Sequence, residues 1–248
     1  MFFFVNIKEM TRYHGGKQRI GKEISKIISE KVGEIDREIV GYCEPFAGML
    51  GVYQHIPKYF GERQMKYKAG DTNESVIKMW QAAQKGWVPP ISCSEENYNQ
   101  LKNDETSSAE KGYFGHQFSF GGGYFMGYTG KYKGGQTSFK TISNKICKIA
   151  GDLHEVEFTS GTYNQFSDLE NYIIYCDPPY ANTRCKYADK FDSDSFWNWV
   201  REMSETNVVF VSEYSAPEDF ECVFENKKKI QTSSKKVSSG CEKLFMKI

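Results

Sequence analysis

The stretch NYIIYCDPPYANT, Asn171 to Thr183, decides the reading of this chain. After Asn171 it is a continuous run of apolar and aromatic residues up to Cys176. Such a run suits a central strand of a parallel sheet, covered on both faces. It passes straight into Asp177, two prolines and Tyr180. Pro178 and Pro179 have no amide donor and a fixed φ, so their carbonyls stand outward as rigid acceptors. A lone aspartate at a strand end is more often a structural cap than a reacting group. Asp-Pro-Pro-Tyr as a unit, however, arises by chance in on the order of one in a thousand chains of this length.

The elements on either side extend the same pattern. Ile20, Ile24, Ile27, Ile28 and Val32 follow helical spacing, which predicts an amphipathic helix over Arg19–Lys31. A short strand in EIVGYCEPFAG follows, and Leu50–Ile56 reads as a helix stopped by Pro57. QMKYKAGD alternates as a half-buried strand, and Thr72 or Asn73 caps a helix closed by Gly86. Ile142, Ile146 and Ile149 mark another helix, HEVEF a strand, and DSFWNWVREMS a helix capped by Asp192 or Ser193. NVVFVSE is a further buried strand, and the tail reads as two strands joined by a basic turn. The order predicts an α/β fold: a doubly wound, mostly parallel, seven-stranded Rossmann-like sheet. Residues 1–86 and 150–248 make the main domain, with 87–149 as an insertion.

In such sheets ligands sit beyond the carboxyl ends of the strands. Glu44, Asp71 and Asp177 fall at such ends. At Asp177, a carboxylate and a proline carbonyl form two close acceptors that match the two hydrogens of an exocyclic amine. The Tyr180 ring can stack on the base that carries it. The lone pair of adenine N6 is delocalised and poorly nucleophilic; acceptors that draw its hydrogens aside free that pair for attack on a sulfonium methyl. Positioning supplies much of the rate of such a displacement, and no metal is required. Phe46, Ala47 and Gly48 form a tight turn where backbone can approach a ligand. Asp71 suits ribose hydroxyls or a helix N-cap equally well. YHGGKQ, Tyr13 to Gln18, is not a P-loop, because Thr11 stands where the first glycine would and Gln18 follows Lys17.

In order, YHGGK, EPFAG, GDTN and YCDPPY resemble the Dam-like family of adenine-N6 DNA methyltransferases, the D12 or alpha-group class. The resemblance covers most of the chain, least in Lys111–Lys148 and the tail. It implies a methyltransferase sheet with an inserted target-recognition segment and S-adenosylmethionine as cofactor. It further implies that Tyr13, Lys17, Phe46, Gly48, Asp71 and Asp177 bind that cofactor. Asp177, Pro178 and Tyr180 would be catalytic, with double-stranded DNA as partner. Leu50 stands where the family usually has a second glycine. Thr162 and Tyr163 stand near the usual place of an Asp-Phe pair, and no role is assigned there.

Net formal charge is zero, so charge must be read locally. From Lys111 to Lys148 there are six lysines, no acidic residue, nine aromatics and nine glycines. A lysine run alone usually means a solvated loop. Interleaved aromatics favour a nucleic-acid surface, with lysines on phosphate and rings on bases. Tyr124, Tyr128, Lys131 and Lys133 are the candidates there. Arg184 and Lys186 are candidates in a polar loop that could close over a flipped base. Phe118 and Phe120 read as core. The seven cysteines form no CxxC pair and the four histidines no metal-ligand pattern, which predicts reduced thiols in the cytoplasm and no metal. No run is long enough to span a membrane. Cytosine N4 and RNA adenine remain alternative targets, as does a non-catalytic nucleic-acid-binding protein that keeps the fold. A cognate restriction endonuclease acting separately is compatible with the reading.

Overall fold

The computed structural model describes residues 11–60, 64–130, 135–153, 155–179, 191–226 and 241–247, with the backbone alone at 135–138. The parallel strands are β1 (Gly41–Glu44), β2 (Lys66–Asp71), β3 (Val156–Ser160), β4 (Tyr172–Cys176) and β5 (Val208–Glu213). An antiparallel pair, β6 (Phe220–Asn226) and β7 (Glu242–Lys247), completes the sheet, with β7 against β5. Among the described residues these form one seven-stranded sheet in the order β3-β2-β1-β4-β5-β7-β6. The fold is α/β, doubly wound and mostly parallel, as the sequence pattern predicts.

The apolar run that ends at Cys176 is buried along its whole length because it serves two cores. Successive side chains of a strand point to opposite faces. Ile173 and Tyr175 join one cluster, with Tyr42, Val208 and Phe210 from β1 and β5. Tyr172, Ile174 and Cys176 join the other, with Cys43, Val209 and Val211. Helix α1 (Gly21–Gly33) lays Ile24, Ile28 and Val32 on the first face. Helix α3 (Glu74–Gln84) adds Val76 and Trp80 there, after Asn73 caps it by accepting from Ser75 N. The last helix, α7 (Ser193–Thr206), covers the second face with Phe196, Trp199 and Val200, and Asp192 caps it.

Pro57 begins the one-turn helix α2 (Pro57–Phe60) where a stop is predicted. Its missing N–H costs nothing in a first turn, where that donor has no helical partner. Before it, Tyr53–His55 form only a 3-10 turn. Leu50 takes φ +51°, the left-handed conformation that glycine adopts freely, although it is a buried leucine.

The segment between α3 and β3 holds two helices that periodicity did not mark, α4 (Glu95–Asn103) and α5 (Ala109–Gln117), followed by α6 (Gly135–Ala150). Ser94 and Ser108 cap α4 and α5, accepting from Asn97 N and Lys111 N. Helix α5 approaches α3 so closely that a Cβ at Gly112 would lie 2.1 Å from Ser75 O. Tyr98, Tyr113, Phe114, Phe118, Phe125 and Phe139 share one cluster with Ile24 and Trp80, so the segment's aromatic core is continuous with the main one. Phe118 is core, as read from the sequence, whereas Phe120 is 72% exposed.

Candidate functional site

The sheet order reverses between β1 and β4, the switch point at which doubly wound sheets bind ligands. A cleft of ≈ 260 Å³ opens there. Its walls include Tyr13, Lys17, Phe46, Gly48, Asp71, Asp177 and Pro178, which the topology gathers from four separate segments. Tyr180, Arg184, Lys186, Lys131 and Lys133 lie outside the described residues.

The turn after β1 is built by contacts that local sequence cannot show. Ala47 N donates to Gly70 O at 2.7 Å, and Gly48 N donates to Asp71 Oδ2 at 2.9 Å. Gly48 O in turn accepts the Trp80 indole N–H at 2.9 Å. Gly48 sits at φ +44°, and a Cβ there would lie 2.9 Å from the Tyr13 ring. The second oxygen of Asp71 accepts from Asn73 N at 2.8 Å. Asp71 therefore braces the turn and the entry to α3, while Asn73 supplies the cap itself. Burial raises the Asp71 pKa, and the two amide donors partly offset this. Each of its oxygens keeps a lone pair that a ligand hydroxyl could use.

Phe46 packs edge-on against Phe191 and Phe196. Tyr13 lies on His116 with ring centroids 4.5 Å apart. His116 Nδ1 faces Gly122 O at 2.9 Å; a carbonyl can only accept, so that nitrogen carries the proton. Burial pushes the His116 pKa down to about 4, which keeps the ring neutral. Its Nε2, a buried acceptor with no hydrogen-bond partner among the described residues, belongs to a residue of the cleft wall. Nothing in the spacing of the four histidines singles it out.

Lys17 is held in place by a close approach of two glycines. A Cβ at Gly21 would meet Gly51 O at 2.0 Å, and one at Gly51 would lie 3.0 Å from Lys17 C. The chain at Lys17 therefore lies tight against the turn after β1, and the side chain is only 4% exposed. Its ammonium donates to Gly15 O at 2.9 Å and to Asp177 Oδ1 at 2.5 Å, and it pairs with Glu242 Oε1 at 2.9 Å. Burial opposes the Lys17 charge, but the two carboxylates outweigh it and its pKa is raised. Burial also raises Asp177, to about 6, with Lys17 pulling against it. At the end of β1, Glu44 accepts the Tyr42 O–H at 2.6 Å, and burial pushes its pKa up to about 8. Sequence reading placed Glu44 at a strand end and gave no role to Glu242, whose place opposite Lys17 depends on β7 pairing beside β5.

Of the aromatics proposed for nucleic acid, Tyr124 and Tyr128 pack within the segment. The Tyr124 ring meets Phe125 and His116, and that of Tyr128 meets Tyr98. The Tyr128 hydroxyl donates to Cys93 O.

Residues 13–121 match the model of the D12 class N6 adenine-specific DNA methyltransferase family. On that match the protein is a methyltransferase enzyme, and S-adenosylmethionine is the cofactor it implies. The matched span holds Tyr13, Lys17, Phe46, Gly48 and Asp71 and ends before Asp177. No curated protein matches the chain. Among solved structures, the rRNA methyltransferase AviRa from Streptomyces viridochromogenes is similar over 91% of this chain and 83% of its own, with 9% identity and a TM-score of 0.40. TrmN from Thermus thermophilus is similar over 94% of this chain and 53% of its own, with 10% identity and a TM-score of 0.39. The chain thus spans about half the length of TrmN.

The residues of the cleft fit a sulfonium nucleoside. Without a side chain, Gly48 lets the Tyr13 ring lie close against the turn after β1. Asp71 offers lone pairs for hydroxyls, His116 Nε2 is an acceptor without a partner among the described residues, and the carboxylates around Lys17 suit a cation.

Proposed function

We propose that this methyltransferase, matched to the D12 class over residues 13–121, methylates N6 of adenine in double-stranded DNA. The observation that carries the reading is the position of Asp177 and Pro178 at the switch point. They share one cleft with the family-matched Tyr13, Gly48 and Asp71.

When bound, S-adenosylmethionine supplies a methyl group activated on a sulfonium. Tyr13, Lys17, Phe46, Gly48, Asp71 and Asp177 are the residues that would hold it. Asp71 is suited to the ribose hydroxyls and Phe46 and Gly48 to the methionine part. Asp177 and the Pro178 carbonyl accept the N6 hydrogens of an adenine turned out of the stack, and Tyr180 stacks on its face. With its hydrogens drawn aside, the amine presents its lone pair for in-line attack. Lys17 keeps Asp177 ionised, and therefore an acceptor, in a place where burial favours its neutral form.

Residues 87–149 are assigned to target recognition, on a main domain of residues 1–86 and 150–248. Phe120 and Met126, 72% and 62% exposed, stand on a loop that docks beside the cleft through His14 N to Gly122 O at 3.2 Å. Bare apolar side chains at such a place suit contact with bases. Lys131, Lys133, Arg184 and Lys186 are assigned to the DNA backbone. No helix among the described residues is long and apolar enough to cross a membrane. The cytoplasm, where DNA is available, is the proposed location, and a restriction endonuclease acting separately remains compatible.

The test is incubation of mixed-sequence DNA and RNA with methyl-labelled cofactor, followed by digestion to nucleosides. Label in N6-methyldeoxyadenosine is the expected result. Label in N4-methyldeoxycytidine or in N6-methyladenosine would move the target to cytosine or RNA. A folded, cofactor-binding protein that labels nothing would favour the non-catalytic reading.

A further inference from the structure

The Lys17 ammonium serves two carboxylates that come from distant parts of the chain. Asp177 follows β4, and Glu242 opens β7, the strand inserted between β5 and β6. Both lie within hydrogen-bond distance of the same Nζ, at 2.5 and 2.9 Å. Lys17 is almost wholly buried, while Asp177 and Glu242 keep 19% and 23% of their side chains exposed. A third contact, to Gly15 O, fixes the ammonium from its own loop.

We propose that Glu242 is a positioning residue of the site: by sharing the Lys17 ammonium with Asp177, it sets where that ammonium stands and how strongly it holds Asp177 in the ionised form. The proposal rests on the reading of Asp177 as the acceptor of the target amine.

The physical argument is one of division. A buried ammonium between two carboxylates stabilises each less than it would stabilise one alone, and the carboxylates repel each other. Glu242 accordingly opposes Lys17 at Asp177. The other groups considered around Asp177, all among the described residues, work in the same direction or remain neutral. Glu213, at the end of β5, also raises its pKa. Glu44, at the end of β1, is itself pushed up to about 8 and is mainly neutral at pH 7. Tyr175, Tyr214 and Cys176 are all raised, Tyr175 and Cys176 well above their usual values, and do not ionise near neutrality. Among these, Glu242 is the group that both repels Asp177 and touches its counter-ion. It thus keeps Asp177 within reach of protonation and prevents Lys17 from closing on Asp177 alone.

The test is a carbon-13 NMR titration of protein labelled at its aspartate carboxyls, with the Asp177 signal assigned by its loss in Asp177→Asn. Wild type should titrate at Asp177 near 6. Glu242→Gln, of the same shape, should lower that midpoint by about one unit. The acid limb of methyl transfer should move in the same direction. Glu242→Ala, read in the same way, serves if the glutamine variant does not fold. A folded variant of either kind with the wild-type midpoint overturns the proposal. Because the titration needs no substrate, its failure condemns the role of Glu242 alone. Failure of the nucleoside assay condemns the DNA reading while the titration stands.

Discussion

The Asp71 carboxylate accepts the backbone N–H of Gly48 at 2.9 Å and so ties the end of β2 to the turn after β1. With its other oxygen on Asn73 N, it organises two loops of the cleft at once. Asp71→Asn places an amide NH2 against one of two backbone donors. We expect stability to fall by about 1–3 kcal/mol, the cost of an unsatisfied buried donor. Cofactor affinity should weaken as well. Denaturant melts beside calorimetric titration with S-adenosylmethionine check both. Lost stability with unchanged affinity would reduce Asp71 to a brace.

Gly48→Ala meets two obstacles, a positive φ and the Tyr13 ring 2.9 Å from the new Cβ. The left-handed conformation alone costs roughly 1–2 kcal/mol. If Tyr13 and Gly48 together hold the cofactor, the dissociation constant should rise at least tenfold, about 1.4 kcal/mol. A variant that binds normally would show that the ring moves aside without consequence.

Asp177→Ala should reduce methyl transfer by about a hundredfold or more, the usual loss for a preorganised group. The fold should survive, because Lys17 keeps its contacts with Glu242 and Gly15 O. In wild type, transfer should decline as pH falls through about 6, where Asp177 takes up a proton. A rate independent of pH between 5 and 7 would contradict this.

Glu44 offers a stability prediction with a defined sign. Its pKa is about 8 in the folded protein against 4.5 in its absence, so the folded state holds a proton that the unfolded state releases. Its contribution to stability is complete below about 4.5 and is lost as pH rises through about 8. Glu44→Gln, which can still accept from Tyr42 O–H, should flatten the pH dependence of urea unfolding between these limits. Identical curves for variant and wild type would refute the assignment.

Phe120→Ala should weaken DNA binding by about 1–3 kcal/mol if the ring stacks on a base, without changing cofactor affinity. Alanine at both Lys131 and Lys133 should flatten the log–log salt dependence by about one to two units. Unchanged affinity and slope in a salt series would send the search for the recognition surface elsewhere.

The sheet and its two faces were legible in the sequence because burial leaves a local record. The run from Tyr172 to Cys176 is apolar throughout since both sides are covered. The acid, the prolines and the glycine turns stand where parallel strands end. Helix α5 was missed because its glycines and aromatics imitate a loop, and α4 because it buries Tyr98 alone and so shows no apolar period. Gly112 is there for contact with α3, and Tyr113 and Phe114 for the common core. Pro57 was read as a stop because proline breaks a helix interior, although it fits equally well at a first turn.

The sequence by itself determined which chemistry-bearing residues exist and that several of them close strands: Asp71, Asp177, the Gly48 turn. Only the tertiary structure decided how they act on one another. It split Lys17 between Asp177 and Glu242, residues 65 positions apart in the sequence. It brought His116 behind Tyr13 with an acceptor left over among the described residues, and it turned Asp71 toward Gly48 as well as the cleft. The reason is one of range. Strand and helix patterns follow from periodicities a few residues long, whereas ion pairing and desolvation depend on distances set by strand order, and adjacent strands such as β1 and β4 lie far apart along the chain.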